Sequence, residues 1–293
     1  MPTNLVLLAV SAVLYGAIFP INRWAADAGW PPVAFAAAQL LLGGVALAAI
    51  ERLRGNRLLR SVADVRSYAV IGALSMAVPT ALLTATAGHV AASMLTLVLA
   101  LSPGLTLLFS AALKLDRLRP RVAVAMLCGF AGVLLIASPW SHALSAAETP
   151  WFLVALLVPV SFASANVSAA LLRPPEVGPG TMAAGLLLAG GVVLVPLALL
   201  IDPSLLPGTM GGAAVATLLA GTVVNAVVII MFFEVIRRAG PTFGSLFHYV
   251  ALPAGVVWSI AAFGVLPPAI FWVAVVVMLG AVAAAVGGPR QAG

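Results

Sequence analysis

Ser245, His248, Tyr249 and Leu252 recur at the spacing that puts four side chains on one face of a helix. A serine and a histidine so placed invite a reading as nucleophile and base. Three apart on one helix they make no nucleophile elbow, and no acid lies near to orient the imidazole. The same face can instead offer a ligand an imidazole, a hydroxyl and an aromatic ring. Other polar faces follow the same rule. One carries Thr217, Gly221 and Asn225, and a second carries Thr80 and Thr84. A third carries His89, Ser93 and Thr96 and continues through Ala100 to Pro103. Tyr15, Gln39 and Asn166 stand alone, and Trp258 lies deep in its apolar run. An amide both donates and accepts, as a zwitterionic ligand requires. For Asn166 and Asn225 the competing reading is a hydrogen bond between helices. For His248 it is a bond to a backbone carbonyl released by Pro253. Ser161, Ser164 and Ser168 read as small-residue packing.

These residues are embedded in an apolar chain. Hydrophobic residues make up 63% and charged residues 8%, against about 25% charged in soluble domains. An integral membrane protein is expected, with no room for a soluble catalytic domain. The net charge of +6 would suggest nucleic acid in a soluble chain; here it belongs to loops. Seven of the eight acidic residues fall in loops or at ends of apolar runs, and Glu234 sits beside Arg237 and Arg238. No carboxylate lies mid-run, so strong proton or sodium coupling is not indicated, and uniport or coupling through a histidine fits better. No GxxxxGK[ST] loop occurs, which argues against an ATP-driven pump. No metal or other cofactor is expected. The single cysteine, Cys128, reads as packing.

A helix needs roughly 20 apolar residues to cross a bilayer. Ten runs qualify: 4–23, 32–50, 67–87, 90–112, 121–138, 151–172, 179–201, 211–235, 241–263 and 267–287. The first has no basic residue before it and reads as an uncleaved span. With the N-terminus inside, alternate loops collect 13 of the 14 basic residues, and only Arg23 falls outside. That asymmetry predicts both termini in the cytoplasm. Trp24, Trp30, Trp140, Trp151 and Trp272 fall at outer span ends, where indoles favour the headgroup level.

Five spans on each side of residues 139–150 predict two repeats, 1–139 and 150–293, the second inverted because five is odd. Leu40–Val45 (LLLGGV) echoes Leu186–Val192 (LLLAGGV). Pro103 pairs with Pro253 as a candidate hinge, and Gly132 with Gly280. The stretch GHVAASMLTLVLALSPGLTLLFSAALKLDRLRPRVAVAMLCGFAGVLLI, with Asp116 and Gly132 at an acid and a glycine position, resembles the repeat signature of the drug/metabolite transporter superfamily, EamA type. The opening LYGAIFPINRWAADAGWPPVAFAAAQLLLGG is similar to the start of that repeat, whereas FGVLPPA closes the ninth span without the acid. The resemblance implies ten transmembrane helices in two inverted five-helix repeats. They would surround a central cavity lined mainly by spans one, three, four, six, eight and nine. The nearest likeness is to amino-acid and metabolite exporters, aromatic ones included.

The expectation is therefore a secondary transporter of the inner membrane, not an enzyme, exporting amino acids and related small metabolites by alternating access. Substrate candidates are Tyr15, Gln39, Thr80, Thr84, Ser93, Asn166, Asn225, Ser245, His248, Tyr249 and Trp258, with Pro103 and Pro253 as hinges. Nucleosides, sugars or cationic drugs are alternative cargoes. An intramembrane enzyme lacks a site, and a channel lacks rings of charge. The partners expected are a small molecule and the bilayer, with monomer or homodimer left open.

Overall fold

Prolines open the helices and glycines close them. Pro32, Pro179 and Pro241 stand in the first turns of their helices, where the missing N–H has no partner to lose. Gly240 and Gly264 terminate helices at φ of 86° and 71°, which a side chain would strain. The Ser61 hydroxyl accepts from Asp64 N–H at 3.2 Å while Asp64 accepts from Arg60 N–H at 3.0 Å, a reciprocal cap.

The computed structural model describes residues 2–87, 89–90, 95, 98–115, 120, 123–124, 126–128, 130–131, 147–174, 176–204, 206, 211–264, 266 and 269–286. Among them all regular structure is helical. The elements are α1 (Pro2–Gly16), α2 (Ile18–Asp27), α3 (Pro32–Leu53), α4 (Val62–Gly72), a π-helical turn (Ala73–Ala77) and α5 (Val78–Ala87). They continue with α6 (Ser102–Ala112), α7 (Thr149–Ala155), α8 (Leu157–Leu172), α9 (Pro179–Ile201) and α10 (Gly212–Ala239). Last come α11 (Pro241–Ser245), α12 (Phe247–Phe263) and α13 (Ala269–Val286).

Among the described residues seven segments are long and apolar enough to span a bilayer: Thr3–Asp27, Pro32–Leu53, Val62–Thr86, Thr149–Leu172, Pro179–Ile201, Gly212–Ala239 and Pro241–Phe263. Each overlies one of the ten expected runs. Of the other three, 90–112 is represented by the shorter α6 and 267–287 by α13, while 121–138 lies largely outside the described residues.

Among the described residues four spans are interrupted: Pro241–Phe263 turns at Leu246 between α11 and α12, and the other three breaks each lie next to a proline. Pro20 denies the Gly16 carbonyl its helical donor, and the chain turns at Ala17 between α1 and α2. Pro159 does the same to the Ala155 carbonyl, with a turn at Leu156 between α7 and α8. Both breaks fall three residues before the proline. Pro79 follows the π-helical turn and leaves the Ser75 carbonyl without a helical donor. By contrast, Pro103 opens α6 just after a turn at Ala100–Leu101, while Pro253 lies inside the continuous helix α12. The two prolines paired as hinges thus occupy different places in their spans.

α3 packs most extensively against α9. A Cβ on Gly44 would stand 2.8 Å from Leu188 N, and one on Gly191 would stand 3.1 Å from Leu41 N. The contact is reciprocal: each helix sets a glycine against a leucine of the other. Around this pair α10 packs on α1, α2 and α3, α4 and α8 pack on one another, and α12 packs on α1. The α6 helix packs on α8. Glu51 closes one end of the pair, accepting from Thr181 Oγ1 (2.9 Å), Asn56 Nδ2 (2.7 Å) and Arg54 Nη1 (3.0 Å). At the same end Arg60 lies 3.7 Å from Glu176, and Arg237 and Arg238 both donate to Glu234. Arg173 donates to the Val177 carbonyl at 2.9 Å, and burial beside Arg237 lowers its pKa. This is the basic end of the bundle.

Candidate functional site

A cavity of about 340 Å³ lies between the spans, within the range of small-molecule sites, roughly 300–1,000 Å³. Its walls come from six spans. Tyr15, Asn22 and Trp30 enter from and beyond α1 and α2; Phe35 and Gln39 from α3; Ser75, Met76, Thr80 and Thr84 from the π-helical turn and α5. Phe162 and Asn166 enter from α8, Asn225, Phe232 and Phe233 from α10, and Phe247 and His248 from α12. None of the described lining residues is Asp, Glu, Lys or Arg. The first three spans contribute the halves remote from the basic end, and the later spans contribute central turns.

Two polar constructions hold the wall. Asn225 Nδ2 donates to Gln39 Oε1 at 2.8 Å, joining α10 to α3 across 186 residues of sequence. Exchanging N and O in both amides gives the same outcome: one N–H group and one carbonyl are spent, and one of each remains. Gly221 makes this possible, because a Cβ there would lie 2.5 Å from Gln39 Oε1 and 3.3 Å from Phe35 Cζ. On the other wall Asn166 Nδ2 donates to Thr106 Oγ1 at 3.2 Å, and His248 Nδ1 lies 3.3 Å from the Ser245 carbonyl.

Aromatic rings fill the space between. Phe247 sits 5.3 Å from Tyr15, 5.0 Å from Phe232 and 5.7 Å from His248, and His248 sits 5.3 Å from Phe162, centroid to centroid. Edge-on and tilted contacts of this kind pack the rings beyond what their area alone supplies.

Tyr15, Gln39, Thr80, Thr84, Asn166, Asn225 and His248, all candidates from sequence, are brought together here. Ser245, Tyr249 and Trp258 are not among the lining residues. The Ser245 hydroxyl donates to the Thr242 carbonyl at 2.7 Å and is fully buried. Tyr249 points out of the cavity, its hydroxyl donating to the Met126 carbonyl at 2.9 Å. Trp258 is 40% exposed and donates to the Val13 carbonyl at 2.9 Å. Ser93, Thr96, Asp116, Gly132 and Trp140 lie outside the described residues. The carbonyl facing His248 is that of Ser245, freed because the chain turns at Leu246, and not the one released by Pro253. Span two also lines the cavity, through Phe35 and the expected Gln39. Of the described residues of span four none lines it.

Asn22, Ser75 and the phenylalanines carry no mark in the sequence, and Trp30, expected as an anchor at the headgroup level, is instead buried in the cavity wall with its Nε1 donating to the Ala214 carbonyl at 3.0 Å. Asn22 precedes an arginine and resembles a loop residue, and phenylalanine in an apolar run carries no signal of facing a cavity. The prolines at 20, 79 and 159 were the available clue, since each marks a broken helix beside lining residues.

Among the described residues no group of three or more His, Cys, Asp or Glu could hold a metal. No curated protein matches the chain in sequence. A solved crystal structure, titled only "Crystal structure of protein", is similar with a TM-score of 0.81, covering 97% of this chain and 98% of that one at 20% identity. That likeness shows the fold. Residues 3–138, a little under half of the chain, match the EamA-like transporter family, and seven described helical segments are long and apolar enough to cross a membrane.

Proposed function

We propose that the chain is a secondary transporter that exports amino acids, aromatic ones among them, and related small metabolites across the inner membrane. The observation that carries this reading is the uncharged, aromatic-walled cavity. Within it the Gln39–Asn225 pair keeps a donor and an acceptor for a ligand, and Asn166 and His248 stand on the opposite wall. Such a site suits a small molecule with a flat apolar part and a compact polar part. The absence of acidic residues from the described lining favours facilitated movement down a gradient over coupling through a carboxylate.

Alternating access follows from two five-helix repeats, 1–139 and 150–293, in inverted orientation. Three observations support it. Gly44 meets Leu188 as Gly191 meets Leu41, the self-complementary pattern of a two-fold axis. The first span and Thr149–Leu172 are both broken three residues before a proline. The first span packs on α10 and α12, as α8 packs on α4 and α6, its partners five spans apart. The family match ends at residue 138. The clustering of arginines at one end favours that end, and both termini, in the cytoplasm.

The test is counterflow in liposomes with labelled amino acids, nucleosides and cationic drugs, with and without a pH gradient. Exchange of aromatic amino acids indifferent to the gradient is expected. Exchange of nucleosides or drugs alone would overturn the substrate class, and transport that tracks the gradient would overturn facilitated movement.

A further inference from the structure

Two hydrogen bonds behind the cavity wall decide what that wall presents. Thr106 on α6 is fully buried, and its hydroxyl donates to the Ser102 carbonyl at 2.8 Å. A hydroxyl has one proton and a carbonyl can only accept, so toward Asn166 the Thr106 oxygen is an acceptor. At 3.2 Å the Asn166 amide must turn its NH2 to Thr106, and its Oδ1 has no partner among the described residues. The same logic fixes His248. The Ser245 carbonyl, 3.3 Å from Nδ1, requires the ring proton there, so Nε2 is a bare lone pair. That carbonyl is free for the ring because the Tyr249 N–H bonds Leu246 at 3.1 Å instead.

Phe162 joins the two. It lies one turn before Asn166 on α8, and its ring centroid is 5.3 Å from that of His248, while Phe247 is 5.7 Å from His248 on another side. All four residues line the cavity. The wall therefore offers two lone pairs on Asn166 Oδ1 and one on His248 Nε2, against the single N–H left on Asn166. Ring faces flank them, and the described cavity lining holds no charged side chain.

We infer that this wall is an amine subsite, taking the ammonium group of a primary amine, and that Thr106 is its positioning residue. An ammonium carries three N–H donors and no acceptor, the complement of this set. Aromatic faces favour a cation over an anion. A carboxylate brought to the same wall sets lone pairs against lone pairs. The Gln39–Asn225 pair, which keeps both a donor and an acceptor, receives the other polar end of the ligand. The inference rests on the transporter reading only in placing the ligand in this cavity.

The test is equilibrium binding to the purified full-length protein in neutral-lipid vesicles, with phenylalanine, phenethylamine and 3-phenylpropionate as probes, alongside phenylalanine counterflow. Phenethylamine binds about tenfold to a hundredfold more tightly than 3-phenylpropionate, the range of a charge-assisted hydrogen bond. Equal or inverted affinities, or binding of none of the three, overturn the subsite. Phenethylamine binding while phenylalanine neither binds nor exchanges keeps the subsite and overturns the amino-acid reading. Phenylalanine exchange with 3-phenylpropionate competing as well as phenethylamine does the reverse. Thr106→Val lets the Asn166 amide rotate and brings the amine-to-acid ratio down about tenfold, while Thr106→Ser keeps it. A folded Thr106→Val protein that weakens both probes equally shows a structural role only and overturns the positioning assignment.

Discussion

Gly221→Ala separates ligand binding from stability. The added Cβ would fall 2.5 Å from Gln39 Oε1 and 3.3 Å from Phe35 Cζ. The first of these is the far end of a flexible side chain, so Gln39 rotates away and the helices keep their spacing. The rotation breaks the 2.8 Å bond to Asn225, at a net cost of about 1 kcal/mol. Alanine at an interior helix position returns about 1 kcal/mol over glycine. The two nearly cancel, and the melting temperature in detergent shifts by only a few degrees. Binding does not escape, because the displaced amide takes with it one ligand hydrogen bond of roughly 0.5–1.5 kcal/mol, about a twofold to tenfold loss of affinity. Gln39→Ala produces a similar loss, and the double variant is no worse than either single one. The assays are counterflow half-saturation and a thermal melt. An unchanged half-saturation constant in Gly221→Ala, or an additive double variant, refutes the reasoning. So does a melting temperature that falls as far as in a core-packing variant.

Glu51→Ala leaves the buried Thr181 hydroxyl without its acceptor and costs about 1–3 kcal/mol; Asn56 and Arg54 are exposed and rehydrate. Glu51→Gln, which keeps a carbonyl acceptor, melts nearer to wild type. Gly44→Val drives a side chain onto the Leu188 backbone and lowers stability by about 1–3 kcal/mol or more in the same melt. In a Cys128→Ser background, Thr84→Cys reacts with an impermeant maleimide from the outer face of right-side-out vesicles and Arg54→Cys does not. The opposite labelling would reverse the orientation.

The spans read well from sequence because their signal is length and apolarity. Pro32, Pro179 and Pro241 begin helices where the runs at 32, 179 and 241 were placed. The seven cavity-lining candidates were legible for a related reason: a polar group in an apolar helix needs a partner or water. Sequence could not tell which of these it had. Tyr249 and Trp258 look as available as His248, yet their polar atoms are spent on the Met126 and Val13 carbonyls, over 100 residues away. Thr106 was passed over because it seemed one more small residue in an apolar run. Its importance lies in where its single proton goes, which is set by the Ser102 carbonyl. The proline pair at 103 and 253 matches in spacing, while Pro103 opens α6 and Pro253 lies inside α12.

The reciprocal glycine contact also limits how the bundle can move. Where Gly44 faces Leu188 and Gly191 faces Leu41, the helices approach too closely to slide past one another without a full turn of register change. α3 and α9 therefore travel as a single spindle. Under the proposed alternating access, a closing stroke falls to the spans broken before Pro20 and Pro159, with α1, α2, α7 and α8 flexing at Ala17 and Leu156 around that axis. Cross-linking α3 to α9 would leave turnover intact, whereas a cross-link from α2 to α10 would stop it.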